Sequence, residues 1–443
     1  MARLKQTAGR WRSSARELAA AVRANPTLAA VIGEGFLTRL GFGMAGFALP
    51  LYALALGMDF AEIGLLYTLR TTTTLLVKPL MGWAADRFGR KPTLIIAVAL
   101  RCLVGLLLVF ATLPWHLFAI RIVQGVMSAA RDPSTTALIA EHADQRSMAS
   151  AFAWYGTARD LGRSLGIGAA GLLIQATGSY RVVFFVAFAT SCTALITVIR
   201  YVRESREPSE QPETAPSDLA PLAEAPGRVR RLLPYAGFGF MVAASAEMMK
   251  GLFPVIATQY AHLTEGEAGL AVTASSVAFL VAGPLFGWLS DNVSRAFALG
   301  SRSIANTASS LIYIFFPSFP GFTVGRVVDD TGKAAFKPTW GAMLAEVSAA
   351  YPTRRAQTMT YVDTAATVGE ILGPLMAGLL MAAFGVPGML GVRAALSLVT
   401  EVQALWLMRR RTPAAGQAPR AEEQPLSAAG REVPGGSVVN DPG

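Results

Sequence analysis

Twelve apolar segments constrain this chain more than any other feature of its sequence, because each is long enough to cross a lipid bilayer as a helix of about 20 residues. Six segments precede residue 203 and six follow residue 231. They cover approximately residues 27–56, 62–84, 92–112, 115–140, 147–176, 180–201, 232–260, 266–290, 295–317, 319–346, 355–384 and 386–408. The sequence therefore predicts an all-α polytopic membrane protein with twelve transmembrane helices, which we number spans 1 to 12, in two six-helix bundles.

The composition agrees with a chain that is dissolved in lipid rather than in water. Hydrophobic residues make up 53% and charged residues 15% of the chain, whereas soluble proteins carry about 25% charged residues. The two cysteines lie inside apolar segments and the three histidines lack ligand spacing, so we expect no disulfide framework, no metal site and no cofactor. The net charge of +10 comes from arginines between apolar segments without a groove-binding motif, so we expect no nucleic-acid partner.

Three polar segments lie outside the spans. Residues 1–26 hold six Lys or Arg, and two interpretations stay open: an amphipathic helix on the membrane surface, or a basic tail that only fixes topology. The apolar stretch that follows is too long for a signal-peptide core, so we expect no cleavage. The predicted organisation is a basic segment, a bundle, a Pro- and Glu-rich linker, a second bundle and a disordered tail, at 1–26, 27–202, 203–231, 232–408 and 409–443.

Basic residues in the short turns predict the orientation in the membrane. Among the odd-numbered turns only Arg181 is basic, whereas the even-numbered turns and the linker hold many Lys and Arg, among them Arg146, Arg295, Arg354 and Arg355. Because Lys and Arg resist translocation, we expect the even-numbered turns and both termini in the cytoplasm, and the protein in the cytoplasmic (inner) membrane.

An internal repeat relates the two blocks of spans. A shift of 205 residues aligns KPLMGWAADRFGR at 78–90 with GPLFGWLSDNVSR at 283–295, and it also pairs Arg121 with Arg326. A shift of 207 pairs four glycines of span 5 with four of span 11, namely Gly162, Gly166, Gly171 and Gly178 with Gly369, Gly373, Gly378 and Gly385. Such a register predicts two equivalent bundles related by pseudo-twofold symmetry, with a ligand site between them near the bilayer midplane.

Two motifs resemble those of a known family, the major facilitator superfamily. GWAADRFGRKP at 82–92 matches its G-x-x-x-D-R-x-G-R-K-P signature after span 2, and Arg121 with Gln124 and Gly125 matches R-x-x-Q-G in span 4. The resemblance covers residues 27–408 and implies transport by alternating access. It also implies a conformational latch on the cytoplasmic side, formed by Gly82, Asp86, Arg87, Gly89, Arg90 and Lys91 with Asp132 as a partner. The alternative is that these residues only turn the chain and fix topology.

A further motif bears on the direction of transport. Antiporters of this superfamily carry G-x-x-x-G-P-x-x-G-G in span 5, but Gly166 is followed here by Ile167 and not by proline. The proline occurs in the repeat mate instead, as Gly373-Pro374 in span 11. The end of span 1, LPLYALALG at 49–57, also resembles exporters of the drug:proton type. We expect export, although small residues at this spacing also serve plain helix packing.

Charged residues inside the spans are costly in lipid, so they must face a cavity or a partner. The resemblance implies that spans 1, 4, 7 and 10 line the cavity, which gives as candidate substrate contacts Arg39, Arg121, Gln124, Lys250, Arg326 and Lys333. An acid beside a lysine can exchange protons near neutral pH. The candidate proton carriers are Glu247 first and Asp330 second, then Glu34 and Glu370. Charges in spans 5 and 11 fit interhelical ion pairs equally well.

No Walker loop, HExxH or GxSxG motif occurs, so the protein is not expected to be an enzyme. The predicted function is secondary active transport of a small organic molecule by proton-coupled efflux, carried out by a monomer in the lipid bilayer. Proton-coupled uptake of an organic anion or other solute, and a non-transporting sensor, remain alternatives. The excess of basic residues in the first block favours an anionic, zwitterionic or neutral polar substrate, unless the arginines pair with neighbouring acids and leave an apolar cavity for hydrophobic drugs.

Overall fold

The computed structural model describes residues 26–88, 90–142, 148–202, 226–292, 295–349 and 355–409, and every regular element in these ranges is a helix. The helices that correspond to spans 1 to 6 are α1 Pro26–Ala55, α2 Phe60–Phe88, α3 Arg90–Phe110, α4 Pro114–His142, α5 Met148–Thr177 and α6 Tyr180–Tyr201. Spans 7 to 10 are α7 Pro226–Lys250, continued by the short helix Phe253–Gln259, then α8 Glu265–Asn292, α9 Arg295–Phe315 and α10 Phe319–Ala349. The last helical segment, Arg355–Arg409, is divided into α11 and α12 at Gly385.

The predictions for the N-terminal segment, the linker and the tail fall on residues 1–25, 203–225 and 410–443, which lie outside the described ranges. The predicted boundaries of the domains therefore stay predictions. The all-helical fold itself is confirmed.

Five described stretches are long and apolar enough to cross a membrane by length and composition alone: Pro26–Ala55, Lys91–Phe110, Tyr180–Tyr201, Leu232–Lys250 and Gln357–Leu407. The other spans carry more charged and hydroxyl side chains. Many of these side chains are buried against neighbouring helices, among them Arg131, Arg302 and Asp329. Burial against protein rather than lipid allows these polar helices to cross the membrane.

The two halves repeat one packing plan. In the N-terminal half α1 packs against α5 and α6, α4 packs against α2 and α3, and α3 packs against α6. In the C-terminal half α7 packs against α11 and α12, α10 packs against α8 and α9, and α9 packs against α12. Gly178 and Gly385, which the 207-residue shift pairs, both have positive φ angles, 63° and 69°, where glycine is favoured. The duplicated six-helix bundle is therefore confirmed.

Small residues allow α5 and α11 to approach their neighbours closely. A Cβ atom at Gly162 would lie 2.4 Å from the carbonyl oxygen of Phe36 on α1, and one at Gly369 would lie 2.4 Å from that of Phe240 on α7. The next glycine, one turn further along each helix, makes the same contact. A Cβ atom at Gly166 would lie 2.1 Å from the carbonyl oxygen of Leu40, and one at Gly373 would lie 2.7 Å from that of Ala244. The glycine spacing in spans 5 and 11 thus has a packing function in both halves.

The halves contact each other along two equivalent seams, α2 with α11 and α5 with α8. In the first seam, Thr68 Oγ1 donates to the carbonyl oxygen of Ile371 at 2.7 Å, and Gly64 lies against the backbone of Pro374. In the second, Thr273 Oγ1 donates to the carbonyl oxygen of Ser164 at 3.2 Å. Both seams lie in the parts of α2 and α8 nearest the turns at 56–59 and 260–264. The halves are therefore closed against each other at that end of the molecule.

Candidate functional site

A cavity of about 630 Å³ lies between the halves beyond these seams. Among the described residues, the N-terminal half contributes residues of α5 to its wall, and the C-terminal half contributes residues of α7, α8, α9, α10 and α11. The volume is within the range of about 300–1,000 Å³ found for sites that take small molecules. The position agrees with the predicted ligand site between the bundles.

The cavity brings together six of the residues singled out from the sequence: Lys250, Arg326, Lys333, Glu247, Asp330 and Glu370. It adds four further charged residues, Asp160 and Arg163 on α5, Arg302 on α9 and Asp363 on α11. The wall therefore combines basic and acidic side chains with apolar residues such as Val242, Val272 and Phe279. Such a wall suits an organic molecule that has polar groups on an apolar body.

Buried charges on α10 form one side of the cavity. Lys333 Nζ lies 2.6 Å from Asp330 Oδ1 and 3.2 Å from Asp329 Oδ2. Arg326 Nε lies 3.4 Å from Asp330 Oδ2, and Ser275 Oγ on α8 donates to the same carboxylate oxygen at 2.7 Å. The helical spacing seen in the sequence therefore produces an ion network and places its lysine at the cavity surface, where 22% of the side chain is exposed.

Two arginines from other helices complete this network around Asp329, which has no exposed surface. Arg302 Nη1 on α9 lies 3.1 Å from Asp329 Oδ1, and Arg393 Nη2 on α12 lies 2.9 Å from the same oxygen. Arg393 also donates to the carbonyl of Ser245 on α7 and to the side chain of Asn306 on α9. Neither arginine was predicted as a site residue, because the only local signal in the sequence is a basic residue inside an apolar span.

Glu247 and Lys250 form a separate pair on α7. Their side chains are joined by a hydrogen bond of 2.5 Å from Lys250 Nζ to Glu247 Oε1, and both residues line the cavity. The lysine side chain is 41% exposed and the glutamate 19%. Glu247 is therefore paired with a cation, and its side chain still contacts the cavity.

Glu370 on α11 and Arg163 on α5 face the cavity from opposite halves. The 207-residue shift that relates α5 to α11 pairs these two positions, so the repeat places opposite charges at equivalent sites. Among the described residues, neither of the two side chains has an oppositely charged atom within 4.0 Å. Glu370 is thus a cavity carboxylate without an ion-pair partner in this part of the chain, unlike Glu247 and Asp330.

The remaining predicted site residues of α1 and α4 are not among the described residues that line this cavity. Glu34 is fully buried and accepts two hydrogen bonds from Arg131, at 3.0 Å and 2.8 Å. Arg121 donates to Gln124 at 3.0 Å and lies 4.2 Å from the ring centroid of Tyr67. Arg39 lies 5.4 Å from the ring centroid of Phe42. These polar groups are held by neighbours on α1, α2 and α4.

The predicted latch is described only in part. Gly82 lies on α2, Lys91 lies at the beginning of α3, and the exposed guanidinium of Arg87 lies 5.6 Å from the ring centroid of Trp83. Gly89 and the side chains of Asp86, Arg90 and Asp132 lie outside what the structure describes. The latch therefore remains a prediction.

Comparison with known proteins agrees with this architecture. The chain is 24% identical over 389 residues to "Multidrug resistance protein MdtG" of Serratia proteamaculans, covering 85% of this chain and 92% of the relative. It is 24% identical over 375 residues to "Multi-drug resistance efflux pump PmrA homolog" of Lactococcus lactis, covering 81% and 88%. Both relatives are matched over nearly their whole length, so the similarity concerns the complete two-bundle unit.

Solved structures share the fold. The nucleoside transporter NupG matches with a TM-score of 0.70 at 13% identity, covering 88% of this chain and 100% of that chain. A bacterial homolog of the human lysosomal transporter Spinster, solved in an inward-facing and unoccupied conformation, matches with a TM-score of 0.63 at 16% identity, covering 86% and 94%. The family model described as Major Facilitator Superfamily matches residues 35–249 and 235–442, one copy over each half. With two equivalent bundles around a central cavity, the chain belongs to the major facilitator superfamily and is a secondary transporter, not an enzyme.

Proposed function

We propose that this protein is a proton-coupled exporter of small organic molecules in the cytoplasmic membrane. The observation that carries export is the match, over most of both chains, to relatives named as multidrug resistance and efflux proteins. The cavity supports the same function, because it combines an apolar wall with charged groups from both halves. A single copy contains the complete cavity, so the proposed active form is a monomer.

Transport requires that the cavity open to one side of the membrane at a time. The charge of the turns supports a cytoplasmic location for both termini, which places the turns at 56–59 and 260–264 outside. With this orientation the two seams close the outer side, and the described conformation faces inward. An exporter loads its substrate from the cytoplasm in this state. The two halves, proposed as residues 27–202 and 232–408, would then rock against each other around the cavity.

Proton coupling needs a carboxylate that can be neutral in one state and charged in another. Asp330 is held by Arg326, Lys333 and Ser275, and Glu34 is held by Arg131, so loss of either charge would remove a counter-charge from buried cations. Glu370 has no such partner among the described residues and faces the cavity. We infer that Glu370 is the primary proton carrier, with Glu247 as the second candidate.

Closure of the cytoplasmic side supplies a reason for the coupling. The pseudo-twofold axis relates Arg163 on α5 to Glu370 on α11, and the cavity separates them in the inward-facing state. When the halves close on that side, the distance between the two side chains falls and an ion pair can form. Such a pair favours the outward-facing state only while Glu370 is ionised. Protonation of Glu370 then favours return to the inward-facing state, as proton-driven export requires.

Everted membrane vesicles of a bacterial host that expresses the protein test this function. Respiration acidifies the lumen, so a fluorescent drug should accumulate inside and its addition should partly collapse the pH gradient. Glu370→Gln should abolish both signals at wild-type abundance, whereas Glu62→Gln, at an exposed carboxylate near the start of α2, should keep both. Drug release from the lumen on acidification would contradict export, and a full signal in Glu370→Gln would contradict its role.

A further inference from the structure

We propose that the cavity takes an amphipathic organic anion, with its oxyanion head group bound by Arg302, Arg326 and Lys333 and its apolar body against Phe336 and Trp340. The head group would be a carboxylate, sulfonate or phosphonate. This inference rests on the proposed transport function in that it names the class of substrate, but it concerns binding alone and does not depend on the coupling ion.

Hydrogen-bond donors without acceptors point to the head group. Arg302 and Arg326 both line the cavity, although only 2% and 6% of their surfaces are exposed. Arg302 Nη2, Arg326 Nε and Arg326 Nη1 have no hydrogen-bond partner among the described residues, even though carboxylates lie within 3.1–3.8 Å of these guanidinium groups. A buried donor without an acceptor destabilises the fold, so such donors are rare. An oxyanion offers several acceptors at once and suits the fork of a guanidinium group.

The charges of the network favour the same ligand. The described cluster contains four cations, Arg302, Arg326, Lys333 and Arg393, and two carboxylates, Asp329 and Asp330. Two positive charges are therefore not balanced within the cluster, in a region of low dielectric constant where such an excess is costly. The anionic head of a ligand would balance part of this excess. The cavity acids that have no ion-pair partner among the described residues lie on the other walls, on α5 and α11.

Aromatic rings next to this charge define the place of the apolar body. Phe336 and Trp340 are stacked, with ring centroids 5.7 Å apart and an angle of 18° between the rings. They follow Lys333 by three and seven residues on α10, which corresponds to about 4.5 and 10.5 Å along the helix axis. Gly239 on α7 packs against the Trp340 ring, since a Cβ there would lie only 3.1 Å from it, so α7 fixes the position of this ring at the cavity wall. A bicyclic aromatic body attached directly to the head group matches this spacing.

A matched set of naphthalene compounds tests head and body separately. Isothermal titration calorimetry of the full-length protein in lipid nanodiscs, with empty nanodiscs subtracted, would compare 2-naphthalenesulfonate, 2-naphthol and 2-naphthyltrimethylammonium. Methanesulfonate provides the head without the body. We expect the sulfonate to bind at least tenfold tighter than each of the other three compounds, because only the sulfonate can combine charge-assisted hydrogen bonds to the head-group site with contacts to the rings.

Variants locate the two parts of the ligand. Lys333→Gln should weaken 2-naphthalenesulfonate about tenfold and leave 2-naphthol unchanged, and Lys333→Arg should restore most of the loss. Trp340→Leu should weaken both compounds by the same factor. Arg200→Gln, an exposed position at the end of α6, is the control and should change neither. Lys333 lies at the cavity surface, so its replacement leaves the buried arginine pairs with Asp329 in place.

The results that would overturn the proposal are tightest binding of the ammonium compound, equal affinities for the three naphthalenes, or unchanged sulfonate affinity in Lys333→Gln. Because binding is measured at equilibrium without a pH gradient, these outcomes are independent of the vesicle assay. Failure of drug-induced proton movement with an intact charge preference would contradict proton-coupled export alone. Drug-induced proton movement without a preference for the sulfonate would contradict only the proposal of an anionic substrate.

Discussion

Removing the charge of Asp329 tests whether the buried network is held together by that carboxylate. Asp329 has no exposed surface and lies 2.9, 3.1 and 3.2 Å from nitrogens of Arg393, Arg302 and Lys333. Asp329→Asn keeps the shape of the side chain, so it creates no cavity and isolates the electrostatic effect. The substitution leaves buried cations without their counter-charge. Removal of one partner of a buried ion pair destabilises a protein by about 3–5 kcal/mol. We therefore expect a loss of about 3–5 kcal/mol in the free energy of unfolding.

Equilibrium unfolding by SDS in mixed micelles measures this loss. Asp363→Asn is the matched control, because that carboxylate is exposed on α11, and its effect should stay within about 0.5 kcal/mol. Arg393→Met removes one of the cations that Asp329 balances. The double variant should therefore lose less free energy of unfolding than the two single variants lose together, by about 0.5–3 kcal/mol. If Asp329→Asn unfolds as the Asp363→Asn control does, or if the effects of the two substitutions are additive, the carboxylate of Asp329 does not hold the network together.

Three further predictions concern packing, the latch and topology. Gly166→Ala should lower stability by about 1–3 kcal/mol in the same unfolding assay, because its Cβ would lie 2.1 Å from a carbonyl oxygen, whereas Gly156→Ala on the same helix, with nothing within 4 Å, should be neutral. Asp86→Asn should abolish drug accumulation in everted vesicles at unchanged abundance and Asp291→Asn should do less, since the second copy has Asn292 and Ser294 in place of Arg87 and Gly89; equal defects would contradict an asymmetric latch. A cytoplasm-active reporter should give signal after Arg231 or at the C-terminus but not near Thr264, and signal at Thr264 would reverse the orientation.

The fold could be predicted from the sequence because its main determinants are local or repeated. Segment length and hydropathy locate the spans, and one shift places Gly162 and Gly369 on equivalent helices. The packing of these glycines against Phe36 and Phe240 repeats in both halves, so the duplication in the sequence corresponds to a duplication of contacts. Helical periodicity likewise placed Arg326, Asp330 and Lys333 on one face of α10, where they form ion pairs.

The partners of the buried charges could not be predicted in this way. Arg302 and Arg393 reach Asp329 from two other helices, and Arg131 reaches Glu34 across the N-terminal half. Periodicity within one helix carries no information about which neighbour faces it, so an isolated arginine in an apolar span is compatible with a cavity, an ion pair or the membrane interface. The motif residues of span 4 are a second example. Arg121 was predicted to contact the substrate, but it contacts Gln124 and Tyr67 in its own half.

A difference between the two copies explains why charge enters the cavity mainly from the C-terminal half. The offset of 204 residues that relates Phe36 to Phe240 also relates Gly43 to Glu247. A Cβ at Gly43 would lie 2.3 Å from the carbonyl oxygen of Arg163, so α1 and α5 are too close at this point to admit a side chain. At the equivalent point α7 carries Glu247, whose Cβ would lie 3.0 Å from a Cβ at Gly373. The equivalent contacts of Gly166 and Gly373 with the facing carbonyl oxygens, 2.1 Å and 2.7 Å, also show that α7 and α11 lie further apart than α1 and α5. The α7 and α11 wall therefore carries Glu247 as well as Glu370, whereas the charged residues of the α5 wall are Asp160 and Arg163.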